Sequence, residues 1–174
     1  MIPTIDSARL VLRPFREATD FAPVAAFFAS ERSAFYGGPA PRPEAWRKFA
    51  VFSGHWMVRG YGPFALEEKA SGAFVGLAGP WFPEGFPEPE ITWMLCDGAL
   101  GKGYATEAAL RALRFGYEDL GWTTAVSSIV AENGPSLRVA ERLGAVHEYD
   151  FQMGDVLLGV HRHRGPTALA EVAA

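Results

Sequence analysis

Two glycines one residue apart, Gly101 and Gly103, flank a lysine in the stretch GALGKGYATEAALRAL, Gly98 to Leu113. Glycine loses more conformational freedom on folding than any other residue. It therefore marks places where the backbone needs positive φ or must come close to something. Here an apolar run ends at Leu95 and a helical pattern starts at Gly103 and Tyr104. The first amides of a helix lack intrahelical acceptors and sit at the positive end of its dipole. A diphosphate fits there if side chains leave the approach open. Gly101 and Gly103 leave it open, and Lys102 adds a cation. These residues predict a pyrophosphate cradle. A tight ligand-free turn between strand and helix accounts for them equally well.

Known phosphate patterns fit the turn poorly. A phosphate-binding loop needs a glycine five positions before the Gly-Lys pair and Ser or Thr after it, and Gly103 follows Lys102. The dinucleotide fingerprint wants a small residue at 106, where Thr106 stands. Glu132, just beyond the next strand, keeps that pattern a weak miss. A second constellation is NGPSLRVAERLG, where Asn133 caps a short helix, Pro135 enters its first turn and Gly144 ends it.

These features need a frame to hold them. The 174 residues suit one domain, predicted over 1–165 with a frayed tail over 166–174. A net charge of −4 argues against nucleic-acid and anionic-membrane partners. No run approaches the roughly 20 apolar residues needed to span a bilayer. No signal-peptide pattern opens the chain, so a cytoplasmic location is expected. Cys96 is the only cysteine, so an intrachain disulfide is excluded.

Periodicity supplies the elements. ARLVLRPF alternates, with Leu10 and Leu12 on one face and Arg9, Val11 and Arg13 on the other. ATDFAPVAAFFAS reads as a helix, and a second helix is predicted from Pro43 to about Arg59 with Trp46, Phe49, Ala50 and Trp56 inward. GPFALEE and GAFVGLAGPW read as strands around the turn KASG, and EITWML as a third. The helix from Gly103 carries Leu110, Leu113, Tyr117 and Leu120 as a stripe up to Gly121. Strands follow at Thr124–Val130, in AVHEYDF and in VLLGVHRH. The order predicts an α+β or α/β domain with three layers, helices on both faces of a sheet.

EITWMLCDGALGKGYATEA, Glu90 to Ala108, resembles the signature of the GNAT superfamily of acetyl-CoA-dependent N-acetyltransferases. It is most similar to the Rim-type branch, which includes the ribosomal-protein alanine N-acetyltransferases. NGPSLRVAERLGA and SARLVLRPF are similar to two further blocks of that branch, in the same order. The sequence departs from the pattern at Thr92, Gly98, Leu100 and Ala145, and Gly98 is expected to loosen the loop.

The resemblance implies a GNAT fold: a mixed, mostly antiparallel sheet with about four helices. It implies a V-shaped splay between the fourth and fifth strands, here Glu90–Leu95 and Thr124–Val130. It implies acetyl-CoA as acyl donor, no metal, and direct attack by a primary amine within a ternary complex. The amides of Leu100, Gly101, Lys102, Gly103, Tyr104 and Ala105 would hold the pyrophosphate. Backbone at Met94, Leu95 and Cys96 would pair with the pantetheine arm, and Leu95 would offer one oxyanion donor. Asn133 would contact the pantetheine, and Ser136 would lie near its sulfur as the acid for the leaving thiolate. Glu90 would take the amine proton, with Glu88 as a substitute.

Other residues read more plainly. Cys96 is a small buried thiol rather than a nucleophile. His161 and His163 share a strand face, with no third ligand nearby. Glu107 and Arg111 form a solvated i, i+4 pair. The resemblance implies that the loop near Phe35 to Pro43 and the insertion Trp81 to Glu90 wall the acceptor site. In the insertion, Trp81, Phe82 and Phe86 with Glu84, Glu88 and Glu90 suggest an aromatic, acidic wall for a cationic amine, either a small molecule or a protein N-terminus, and a proline-stiffened loop with solvated glutamates accounts for them equally well. A monomer or homodimer is expected. A non-catalytic acyl-CoA-binding or sensing domain is the alternative, because binding needs only the turn.

Overall fold

The computed structural model of the chain describes residues 1–171. The alternation around Leu10 holds, since Leu10 and Leu12 are both fully buried in β2, Leu10–Arg13. A two-residue strand the pattern did not indicate, β1 at Ile5–Asp6, pairs with it. Helix α1 spans Glu17–Ala29, a 3-10 turn spans Glu31–Tyr36, and α2 spans Arg42–Arg59. Strands β3, Phe64–Glu68, β4, Phe74–Trp81, and β5, Glu90–Leu95, form a meander. Helix α3, Tyr104–Glu118, leads to β6, Val126–Ile129, and α4, Gly134–Arg142, to β7, Val146–Met153. Strand β8, Val156–Arg162, and helix α5, Pro166–Glu171, complete the described residues.

The eight strands lie in the order β1-β2-β3-β4-β5-β6-β8-β7. Every pairing is antiparallel except that of β5 with β6. Those two run parallel and share one register pair, Glu90 with Val126. Beyond that pair they part, which is the expected V. The hydroxyl of Ser127 donates to the Ile91 carbonyl at 2.6 Å and bridges the V near its base.

A strand turns alternate side chains to opposite faces. In β5, Ile91 and Trp93 enter the core beneath α3, while Met94 joins the core beneath α1 and α2. Small residues of α3, Ala108, Ala109 and Ala112, are fully buried and let that helix lie close on β4 and β5. Leu110 and Leu120, expected in the same stripe, are only partly buried. The glycine turn and the mouth of the V are thereby held on rigid elements.

Four expectations change. Trp46 is 51% exposed, and Ala45 takes the inward position on α2. Glu107 is no partner for Arg111. It accepts from the Ser7 hydroxyl at 2.7 Å and the Arg9 amide at 2.6 Å, clamping the start of α3 to β2. Arg13 is 3% exposed rather than outward, because Asp20 of α1 folds over it. Residues 166–171 form α5 instead of a frayed end, because Leu169 inserts into the α3 core; the rest of the expected tail lies outside the described residues.

Candidate active site

Three glycines of the turn adopt left-handed backbone, Gly98 at φ 79°, Gly101 at 73° and Gly103 at 78°. A Cβ on Gly101 would meet nothing, and one on Gly103 only the Arg9 guanidinium at 3.4 Å. Conformation rather than crowding therefore selects glycine at 101 and 103. Gly98, which was expected to loosen the loop, is the first of the three. It holds one of the positive-φ corners that shape it.

Gly103 caps α3 without any side-chain cap. The first intrahelical bond runs from the Glu107 amide to the Gly103 carbonyl at 3.1 Å. The amides of Tyr104 and Ala105 precede it and point out of the helix end. Lys102 is half exposed, with its ammonium 3.6 Å from Glu68. A second cation, Arg9, reaches the turn from just before β2, donating to the Lys102 carbonyl at 2.8 Å and lying 4.8 Å over the Tyr104 ring. Nothing in the spacing of the sequence linked Arg9 to residues so far along the chain.

The open edge of β5 comes next. The Cys96 amide bonds to Val75 of β4 at 2.9 Å, so it is not free for a ligand. Antiparallel pairing turns alternate residues to opposite sides. Met94 backbone thus faces β4 with Cys96, and Trp93 and Leu95 face the V. Of the three expected pairing positions, only Leu95 keeps its place. Each outward carbonyl of β5 has a side-chain donor. Ile91 accepts from Ser127, Trp93 from the Tyr36 hydroxyl at 2.9 Å, and Leu95 from Arg32 at 2.9 Å.

A cavity of about 740 Å³ opens between the V, the 3-10 turn and α2. Asn133 and Ser136 lie in its wall, both 8% exposed. Asn133 also caps α4, accepting from the Ser136 amide at 3.3 Å. Their side chains approach the Tyr36 hydroxyl, whose proton is held more tightly than usual by burial. The loop near Phe35 to Pro43 was expected at this wall, but nothing singled out Tyr36 within it. It lies in a Gly- and Pro-rich segment with no period to flag it.

Glu90 faces the same cavity and is 5% exposed. Burial pushes its carboxyl up to about 8, and the hydrogen bond from the Ser128 amide at 3.2 Å offsets only part of that. The Ser128 hydroxyl is buried without a partner. A carboxyl poised near neutrality suits proton removal from an amine.

Glu88 is not a substitute. Arg162 and Tyr149 bind it and hold it below the usual carboxylate range. The proposed aromatic wall is half correct. Trp81 and Phe86 line the cavity, whereas Phe82 lies under Arg59 at 4.9 Å and Glu84 is fully exposed. His55 fixes Trp81 by stacking at 4.7 Å and accepts from the Phe82 amide at 3.0 Å.

Burial raises the Cys96 thiol to about 12, which suits a packed thiol and not a nucleophile. His161 packs on His147, and His163 is buried against the Ser127 hydroxyl at 2.8 Å. Burial pushes His163 down to about 4. Among the described residues no group of three or more His, Cys, Asp or Glu is placed to hold a metal ion. No helix among them is long and apolar enough to cross a membrane.

Known proteins share this fold. Residues 9–146 match the acetyltransferase (GNAT) domain. The structure of an acetyltransferase from Agrobacterium tumefaciens is 35% identical, with a TM-score of 0.86 over 94% of this chain and 95% of that one. A spermidine N-acetyltransferase from Vibrio cholerae, solved with CoA and spermine, is 16% identical and shares the fold, with a TM-score of 0.72 over 94% and 99% of the two chains. An uncharacterized Bacillus subtilis protein, YkkB, is 34% identical over 90 residues, which span 49% of this chain and 52% of that protein. The chain thus spans about half the length of that curated relative.

Proposed function

The chain belongs to the GNAT acetyltransferase family, and on that premise we propose that it moves an acetyl group from acetyl-CoA to a primary amine. The observation that carries this reading is Glu90, a buried carboxyl facing a cavity that opens into the V of the sheet. A domain that only bound an acyl-CoA would have no use for a base at that depth.

The residues present fit the donor substrate. The uncapped amides at the start of α3 receive the pyrophosphate, and Arg9 and Lys102 supply positive charge beside it. The outward amide of Leu95 faces the thioester oxygen in the V. Asn133 and Ser136 border the same space. Acetyl-CoA supplies an activated acyl group; everything else is done by the chain.

Glu90 accepts a proton from the bound ammonium, leaving a neutral amine. Its nitrogen attacks the thioester carbon, a C–N bond forms, and the C–S bond breaks. The leaving thiolate takes up the second proton, which the nitrogen sheds as the amide forms, relayed through the Ser136 hydroxyl, so that hydroxyl ends as it began. The products are the N-acetylated amine and free CoA. The proton taken by Glu90 returns to solvent.

Calorimetric titration with acetyl-CoA tests the cradle. Gly103→Val puts a β-branched residue at φ 78°. Such a residue costs on the order of 1–3 kcal/mol there, and its side chain intrudes on the anion path. Affinity should fall at least tenfold while the circular dichroism stays folded. Unchanged affinity in a folded variant would remove the cradle from the mechanism.

A further inference from the structure

The acceptor cavity carries charge of both signs, arranged along its depth. At the inner end Glu90 is buried. The middle is aromatic and aliphatic, with Phe28, Phe52, Trp81, Phe86, Leu77 and Met94 in its wall. At the outer end, α2 presents Arg47, exposed, and Lys48, partly buried. Among the described residues neither cation enters an ion pair within 4.0 Å. Glu44 lies one turn back on the same helix and lines the same mouth, yet pairs with neither. The Lys48 ammonium instead rests 5.4 Å over the Phe28 ring, at the boundary between the apolar wall and the mouth.

We infer that the acceptor is an amphipathic amine with an apolar body and an anionic group, a carboxylate or phosphate, at the end away from the nitrogen. This deepens the proposed transferase reading and rests on it. Each region demands one part of such a molecule. The buried carboxyl takes the ammonium, the aromatic wall takes a flat or branched apolar body, and two unpaired cations take an anion. A polyamine fits less well, because its outer ammonium would meet a mouth where Arg47 and Lys48 outweigh Glu44. A neutral arylalkylamine fills the middle and leaves both cations unpaired.

Three probes test this: 4-(2-aminoethyl)benzoate, its methyl ester of matched shape, and the linear polyamine spermidine. Binding is followed by the fluorescence of the cavity tryptophans, which needs no turnover, and acetylation by free-thiol release. The benzoate should bind about tenfold more tightly than the ester, the size of one charge-assisted hydrogen bond. The same ratio should appear in kcat/KM, carried by KM. Arg47→Gln combined with Lys48→Gln should bring the ratio close to one, and Arg47→Lys should retain it. Equal binding of benzoate and ester, a preference for spermidine, or a ratio that survives the double variant would each overturn the inference. Failure of all three probes to bind would overturn it as well. Benzoate-selective binding with no thiol release would leave the subsite standing and remove the transferase reading instead.

Discussion

Glu90→Gln is expected to lower turnover by about 10²- to 10³-fold, within the range for loss of a positioned general base. The affinity for acetyl-CoA should move less than twofold, since Glu90 lies in the acceptor cavity and the cradle is built from the start of α3, Lys102 and Arg9. The amide keeps the shape and the hydrogen bond geometry available to Ser128, so a folding defect is not expected. The pH profile gives the sharper signature. Burial holds the carboxyl as the protonated acid up to about pH 8. Only the carboxylate can accept a proton. The wild-type rate should therefore climb as pH rises toward 8 and level off above it. In Glu90→Gln that limb should vanish, leaving a low rate that follows the acceptor amine alone. A variant with wild-type turnover, or with the limb intact, would assign the base elsewhere.

The second large effect is on stability. Arg13 and Asp20 are buried together, with two hydrogen bonds at 2.8 and 2.9 Å. Asp20 also accepts from the Arg16 amide at 2.8 Å, which fastens the start of α1. Asp20→Ala leaves a guanidinium 3% exposed with Glu67 as its remaining carboxylate, at 2.6 Å. Breaking a buried pair costs about 3–5 kcal/mol, and the surviving Glu67 contact places this case near the lower end. A chain of this size should then melt roughly 6–12 °C lower. Arg16→Ala is the control, since Arg16 is 61% exposed and should shift the melting point little. The linkage has a definite sign. Burial alone would raise the Asp20 carboxyl, but Arg13, the Arg16 amide and Thr19 together hold it below its ordinary value. Its contribution is thus present at neutral pH and is lost as pH falls below about 4, the ordinary aspartate value. A thermal scan across pH 3–7 should show a larger loss in the wild type than in Asp20→Ala, where Glu88 and Glu107 still contribute theirs.

Residues with short-range logic were legible in the sequence. The limits of β5, the capped start of α4 and the positive-φ glycines each follow from neighbours within a few positions. Glu90 was reached through the resemblance of its strand, and its burial fits the role. What was not legible depends on distant partners. Arg13 reads as a solvent-facing arginine until Asp20 covers it. Glu107 reads as a partner for Arg111 until β2 arrives from the far end of the chain. Cys96 reads as a pairing position because a strand sequence does not say which edge faces its neighbour. The Val75 carbonyl decides that. Tyr36 and Arg32 reach the β5 carbonyls from a segment whose conformation has no periodic signal. The cavity itself is assembled from five separate stretches, so the unpaired state of Arg47 and Lys48 has no sequence signature.

The most direct test of the central claim is acceptor-dependent release of free thiol from acetyl-CoA, measured over pooled primary amines and short peptides with mass detection of the product. One acetyl group gained by an amine for each thiol released, and no release without acceptor, is the result expected of a direct transferase with Glu90 as base. Tight binding of acetyl-CoA with no acceptor-dependent release from any pool would contradict it and leave an acyl-CoA-binding domain.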